Sequence, residues 1–308
     1  MPPSFLVKIA ADTLAAVEKG SYVDLAGETH EIPDLAQSTS ATEFHPPDSP
    51  LSGWATSLPA PGAISHQTEL VLRKNSTLEG VQYCIPLGRK IGVLNFASAT
   101  RPGGGFIGGA RAQEETIARS SNLYSSLMTP EGQKFYRLHK TGEKSKYYTH
   151  AMIYTRDVQI FRNDGGDWVK PSKVDMLTSA AVNAGKVISA YFNTTSESKP
   201  GGTDVERAIE GVMKQRMGRL LFLFEKEGAQ DLVLGSFGTG VFQNNVAMVA
   251  KLWAELLAAP DSRFKNSFQR VVFAIIDQKT CDIFKNTFNS LQVPFIEGSA
   301  TEASPLEE

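Results

Sequence analysis

Cysteine is nearly absent. Cys84 and Cys281 are the only two in 308 residues, which excludes a disulfide scaffold and a cysteine-rich zinc module. Histidine is also scarce: five are present, and none pairs with another at HxxxH or HxH spacing, so no histidine-built metal site is expected. Neither sign of charge is in excess. The 31 basic and 33 acidic residues leave a formal charge of -2, which argues against a general nucleic-acid or anionic-membrane binder. No apolar run approaches the length of a membrane span, and the first residues lack the basic start and long apolar core of a secretory signal. The expectation is a soluble intracellular protein, cytoplasmic or nuclear, with a monomer as the default state and no membrane partner.

The chain is 41% hydrophobic and 21% charged, the balance of a globular protein able to bury a sizeable core. Leu6, Ile9, Ala10, Leu14 and Val17 recur at helical spacing, so residues 4–19 predict an amphipathic helix with Gly20 as its stop. Residues 30–66 carry Pro33, Pro46, Pro47, Pro50, Pro59 and Pro61 among many Ser and Thr, and read as an irregular surface segment. From residue 67 strands and helices alternate. Apolar strands are predicted at 68–72, 91–97, 151–154, 174–178, 231–235 and 271–276. Helices are predicted at 113–127, 131–139, 204–226, 244–258 and 279–291. Near-continuous apolar strands alternating with helices predict α/β layers around a mixed sheet. The expected organisation is an accessory segment over 1–66, a catalytic domain over 67–296 and a disordered acidic tail over 297–308.

Two glycine-rich loops follow predicted strands. The first, NFASATRPGGGFIGGARAQEE, begins at Asn95 and holds Gly103, Gly104, Gly105, Gly108 and Gly109 before Gln113, Glu114 and Glu115 at a helix start. Glycines permit positive φ and close ligand approach, and their N–H groups can hold a diphosphate. Acidic residues in a first helical turn also simply suit the helix dipole. The GxGxxG match at 103–108 is weak support for a dinucleotide fold: Ser98–Pro102 separate it from the strand, and Gly109–Ala112 separate it from the helix. The second loop runs through Gly235, Ser236, Phe237, Gly238, Thr239, Gly240, Val241 and Phe242, again between a strand and a helix. Two such loops can line one cleft at the carboxyl ends of the strands. Phe237 and Phe242 either stack on a sugar or base or cap the core below; for a single Phe the core reading is favoured, and for Phe242 the two are even.

The spacing of Gly103–Gly105 and Gln113–Glu115 resembles the signature of poly(ADP-ribose) glycohydrolases. The surrounding LNFASATRPGGGFIGGARAQEE, the later GSFGTGVFQNN, the start IAADTLAAVEKGSYV and the middle YYTHAMIYTRDVQIFRND resemble the microbial-type branch of that family. The resemblance spans most of the chain except 30–66 and the tail. It implies a macrodomain-like fold, a three-layer α/β/α sandwich with a mixed central sheet, here with an N-terminal helical extension. It also implies hydrolysis of ribose–ribose bonds in poly(ADP-ribose), without metal or organic cofactor, and reversal of ADP-ribosylation on modified proteins. Alternatives are an ADP-ribose reader that does not cleave and a mono-ADP-ribosyl hydrolase. An intact Glu114–Glu115 pair discriminates against the reader, which has no need of an acid.

Cleavage of an O-glycosidic acetal passes through an oxocarbenium-like state, and the leaving oxygen needs a proton. By the resemblance Glu115 is the catalytic acid, and Glu114 binds ribose hydroxyls while its charge helps keep Glu115 protonated. Adjacent helix positions point about 100° apart, so the pair cannot straddle one bond as in an ordinary retaining glycosidase. A single Glu acting first as acid and then as base is expected. Asn95 is placed to bond a ribose hydroxyl, Gly103–Gly105 let substrate close on Glu115, Gly235–Phe242 grip the diphosphate, and Phe242 orients the terminal ribose. Gln113 is counted with the substrate-binding residues, although fixing the helix start is its plainer role.

Overall fold

Strands covered on both faces need apolar side chains on alternate sides, and this chain supplies them. The computed structural model describes residues 3–35, 41–59, 67–141, 146–194 and 204–298. In chain order the elements are α1 (Pro3–Lys19), β1 (Ser21–Val23), β2 (Thr29–Glu31), β3 (Thr42–His45), β4 (Glu69–Arg73), α2 (Thr77–Cys84), β5 (Ile91–Phe96), α3 (Gln113–Ser120), α4 (Leu123–Met128), α5 (Pro130–Thr141), β6 (Met152–Arg162), β7 (Trp168–Ser179), α6 (Ala184–Thr194), α7 (Asp204–Lys226), β8 (Asp231–Leu234), α8 (Val246–Leu257), β9 (Arg270–Ala274), α9 (Gln278–Ser290) and β10 (Ile296–Gly298). Eight strands form one sheet in the order β10-β4-β9-β8-β5-β7-β6-β3, and β1 and β2 make a separate hairpin. From β10 to β7 every pairing is parallel; β7–β6 and β6–β3 are antiparallel. The sheet is therefore mixed, as expected.

Alternation along the strands divides the core. Leu70, Leu72, Leu232, Leu234, Val271 and Phe273 face one cluster, which they share with Met213, Leu220 and Phe224 of α7, Val249 and Trp253 of α8 and Phe284 and Phe288 of α9. Val71, Val233 and Val272, the residues between, face the other cluster with Val81 of α2, Ile117 of α3, Leu123 of α4 and Phe135 of α5. Helices thus cover both faces, giving the three-layer sandwich. β5 (IGVLNF) and β8 (DLVL) are central, parallel neighbours, with Val93 opposite Val233. The loops that follow them consequently leave the same edge of the sheet side by side.

Several expectations change. The accessory boundary at 66/67 does not divide the fold: β3, inside the segment read as irregular, pairs with β6 as an edge strand. Leu51 and Trp54 from the same segment are buried in the larger core cluster. Trp54 lies over Gly218, where an added Cβ would come within 2.4 Å of its ring, and its Nε1–H donates to Gln215 at 3.0 Å. The proline-rich composition around Leu51 and Trp54 hid this anchor. At the other end Glu297 and Gly298 belong to β10, so the tail expected at 297 begins inside a strand; residues 299–308 lie outside the described residues, as do 36–40 and 60–66. The helix expected at 113–127 is two helices. Ser121 bridges Ile160, and Gln159 N–H donates to Asn122 Oδ1 at 2.9 Å, so sheet pairing interrupts the helical ladder. β6 and β7 are longer than expected because a bulge between Thr155 and Val158 carries the charged Arg156–Asp157 pair without ending the strand.

Trp54→Ala should destabilise the whole domain by about 3–5 kcal/mol in equilibrium denaturation, the cost of emptying a large buried aromatic site. A loss under about 1 kcal/mol would mean that this segment is a detachable appendage.

Candidate active site

α3 begins at the carboxyl edge of β5 and is fixed there by its first residue. Gln113 Oε1 accepts from Phe96 N–H at 2.8 Å, and its Nε2 donates to Leu94 O at 2.7 Å and Thr77 Oγ1 at 3.2 Å. Both ends of this amide are engaged within the protein, so Gln113 anchors the helix, the plainer of the two roles open to it. The side-chain clamp sets the start of α3, because the preceding Ala112 offers no cap of its own.

The next two residues turn their carboxyls inward under the glycine loop. Glu114 is 2% exposed and Glu115 9%. Glu114 Oε2 accepts from Ser98 N–H at 2.7 Å, and Glu115 Oε1 accepts from Gly105 N–H at 2.9 Å. Glu114 Oε1 and Glu115 Oε2 are buried and have no partner. A Cβ on Gly104 would stand 2.2 Å from Glu115 Oε1 and 3.0 Å from Glu114 Oε2, so both acids occupy the space that a side chain would need. Gly103 and Gly104 also have positive φ, 64° and 59°, which a glycine adopts without strain. The first loop therefore serves the acids. Gly105 N–H is bound to Glu115 and Gly104 N–H to Arg101 O at 2.9 Å. These two are not available to a diphosphate, contrary to the anion-holding role open to this loop from its composition.

Burial pushes the Glu114 carboxyl up to about 8; the Ser98 N–H opposes this, the neighbouring Glu115 charge adds to it, and the nearby Asn95 amide and Gly103 N–H oppose it. Burial thus favours a proton on the carboxyl pair at neutral pH. Asn95 is fully buried, and its Nδ2 donates to Thr178 Oγ1 at 3.2 Å beside Glu114. Its Oδ1 is buried and has no partner among the described residues. Tyr136 of α5 was not foreseen: it is fully buried, its hydroxyl has no partner, and burial, with the Glu114 charge adding, holds it un-ionised. No motif marks it, since it reaches the site only through the packing of α5.

The second loop is built differently. Gly235 passes so close to β9 that a Cβ would meet Ala274 O at 2.7 Å, and Trp253 Nε1–H donates to Gly235 O at 3.0 Å. Asn244 Nδ2 bonds Val182 O at 2.7 Å and Gly238 O at 2.9 Å, closing the loop. Phe237 is wholly buried against Phe96, with ring centroids 5.6 Å apart, so it caps the core and does not face a ligand; its N–H also turns back to Gly235 O. Thr239 N–H bonds Ser236 O at 3.2 Å. The N–H groups of Ser236, Gly238, Gly240, Val241 and Phe242 meet no acceptor among the described residues. Val241 is 81% exposed at the tip. Half-buried Phe242 lies 5.8 Å from the ring of Tyr148, which itself has φ 54°. Fully buried Arg216 supports this wall, donating to Ala180 O at 2.8 Å, Tyr147 O at 3.0 Å and Tyr148 O at 3.2 Å. The two loops thus bring an acid pair and a row of free N–H groups to one edge of the sheet, a combination suited to an anionic substrate carrying a bond that needs a proton.

The Glu114 carboxyl takes its proton more tightly in the folded protein than in the unfolded chain. The stability this contributes is complete below the ordinary glutamate range and is lost as pH rises through about 8. Glu114→Gln removes the titration. Its melting temperature relative to the wild type should therefore climb steadily from pH 5 to pH 9, by several degrees in all. A difference that stays flat with pH would show that Glu114 is not the group titrating there.

Comparison with known proteins supports one family. The model of the microbial-type PARG catalytic domain matches residues 10–163, which include the first loop and both acids. The structure of poly(ADP-ribose) glycohydrolase from Thermomonospora curvata is similar at 32% identity and a TM-score of 0.81, over 92% of this chain and 100% of that one. The same enzyme bound to the inhibitor ADP-HPD gives a TM-score of 0.79 at 32% identity, over 92% of this chain and 100% of that one. Poly(ADP-ribose) glycohydrolase from Deinococcus radiodurans in complex with ADP-ribose is similar at 31% identity and a TM-score of 0.73, over 85% of this chain and 100% of that one. No curated protein matches the chain.

Proposed function

The chain belongs to the microbial-type poly(ADP-ribose) glycohydrolases and is a glycoside hydrolase acting on poly(ADP-ribose), and from that premise we propose that Glu115 cleaves the ribose–ribose bond as acid and then as base, with Glu114 as its proton-holding partner. The observation that carries this reading is the pair of buried carboxyls beneath Gly104, each with one oxygen held by a loop N–H and the other without a partner. Buried polar atoms are normally satisfied, and sugar hydroxyls supply the missing donors.

A ribose hydroxyl donating to Glu114 Oε1 favours the Glu114 anion and moves the shared proton to Glu115. That proton passes to the bridging oxygen as its bond to the anomeric carbon breaks, and the electron pair leaves with the oxygen. The anomeric carbon carries the oxocarbenium charge beside two carboxyl groups. Glu115, now anionic, takes a proton from water while the water oxygen bonds the anomeric carbon. The carboxyl is restored and ADP-ribose is freed.

The second loop holds the diphosphate through the N–H groups of Ser236, Gly238, Gly240, Val241 and Phe242. Phe242, seated on Tyr148, orients the terminal ribose. The cleavage draws on the chain's own residues, with no organic cofactor or metal. Polymer-carrying ADP-ribosylated proteins are the partners this reading implies, in an intracellular setting and with the chain acting as a monomer.

Purified protein should release ADP-ribose from labelled poly(ADP-ribose) in the presence of chelator. Glu115→Gln should release none and still bind ADP-ribose within a few-fold of the wild type, because shape and hydrogen bonding are nearly retained. Binding lost together with turnover would remove Glu115 from the acid role. Glu114→Ala should weaken both turnover and binding; unaltered catalysis in that variant would reduce Glu114 to a helix-start charge.

A further inference from the structure

Behind the acids a set of hydrogen bonds closes on itself. Glu115 Oε1 accepts from Gly105 N–H at 2.9 Å, and Gly105 O accepts from Ala110 N–H at 3.2 Å. Ala110 O accepts from Arg119 Nη1–H, and Arg119 stands one turn beyond Glu115 on the same helix. The circuit therefore runs from the carboxyl through the glycine loop and back to α3. Arg119 is only 5% exposed, and its Nη2 also reaches Thr116 Oγ1 at 3.4 Å. Burial lowers its proton affinity, and the Glu115 charge offsets part of that. A cation near the end of a helix is favourable in any case. That alone would leave the side chain free to point at solvent, yet this planar fork is buried and directed at a loop carbonyl.

A second contact extends the circuit to the N-terminal helix. Thr13, 1% exposed, donates its hydroxyl to Arg119 O at 2.6 Å and accepts from Arg162 Nε at 2.9 Å. The carbonyls in the last turn of a helix have no partner within it, and α3 ends at Ser120. Thr13 supplies one of the missing donors. α1 also presses on the loop itself: a Cβ on Gly109 would lie 2.7 Å from Pro3 O, and Ala10 packs with Phe106 and Ala118.

We propose that Arg119 is a positioning residue for Glu115, and that Thr13 extends this role to α1. Together they hold the Gly105 N–H on the Glu115 carboxyl and so fix the direction of its second oxygen. This rests on the assignment of Glu115 as the acid. Misplacing a reacting group by about 1 Å can cost on the order of 100-fold in rate. The second loop's hold on the diphosphate does not pass through this circuit.

Turnover of poly(ADP-ribose) and affinity for ADP-ribose would be measured for Arg119→Ala, Arg119→Lys, Thr13→Val, Thr13→Ser and Glu115→Gln. Arg119→Ala should lose about 10- to 100-fold in kcat, with KM and ADP-ribose affinity within about twofold. Added guanidinium at millimolar concentration should restore part of that loss, since Arg119 lines a cleft between α1 and α3 with Leu6, Ile9 and Thr116. Arg119→Lys should fall between Arg119→Ala and the wild type. An unchanged kcat would overturn the proposal. So would equal losses of kcat, binding and melting temperature without rescue, which would make Arg119 a fold support only. If Arg119→Ala does not fold, Thr13 decides: Thr13→Val should lower kcat several-fold at unchanged affinity and Thr13→Ser should restore it, whereas wild-type kcat in Thr13→Val overturns the proposal. Full turnover by Glu115→Gln would sink the acid assignment itself, an outcome distinct from an inactive Glu115→Gln beside a fully active Arg119→Ala.

Discussion

Two acids that are neighbours in sequence are buried in one place, and most of the local architecture answers that constraint. An isolated buried carboxylate is costly unless it is hydrogen-bonded or neutralised. Here Ser98 and Gly105 each lend an N–H, and burial pushes the Glu114 carboxyl toward its protonated form. The glycines follow from the same demand, because a side chain at Gly104 would occupy the position of the Glu115 carboxyl. Gln113 follows too: without its three hydrogen bonds to β5 and α2 the helix that presents the acids would have no fixed start.

The two glycine loops look alike in composition and act through opposite ends of the same chemistry. In the first, N–H groups turn inward and are matched to the protein's own carboxyls. In the second, side chains such as Asn244 and Trp253 take up carbonyls, and several N–H groups meet no acceptor among the described residues. One loop therefore encloses the acids, and the other presents those N–H groups. Their adjacency needs no special device: parallel β5 and β8 end at the same edge.

Much of this was legible in the sequence. Continuous apolar strands alternating with helices gave the layer order, and the GGG–QEE spacing located the acids. The failures were of a different kind. Trp54 and β3 lie in a proline-rich segment whose local composition argues for an irregular path, and only long-range pairing with β6 and burial over Gly218 override it. The split between α3 and α4 comes from a bridge to Ile160, a partner far along the chain. Phe237 sits at a loop start where a ligand role is plausible by position, yet it is fully buried against Phe96. How far burial shifts the Glu114 carboxyl was unreadable as well, because it depends on enclosure by the folded chain.

The strand order also bears on how the enzyme comes into being. β5 and β8 are neighbours in the sheet but are separated along the chain by α3 through α7, and β9, which flanks β8, follows later still. Contacts between distant segments are the slow ones to form. A growing polypeptide therefore carries its acid pair long before the second glycine loop exists. Activity arrives only when the last third of the chain has been made and has inserted β8 and β9 between strands laid down much earlier.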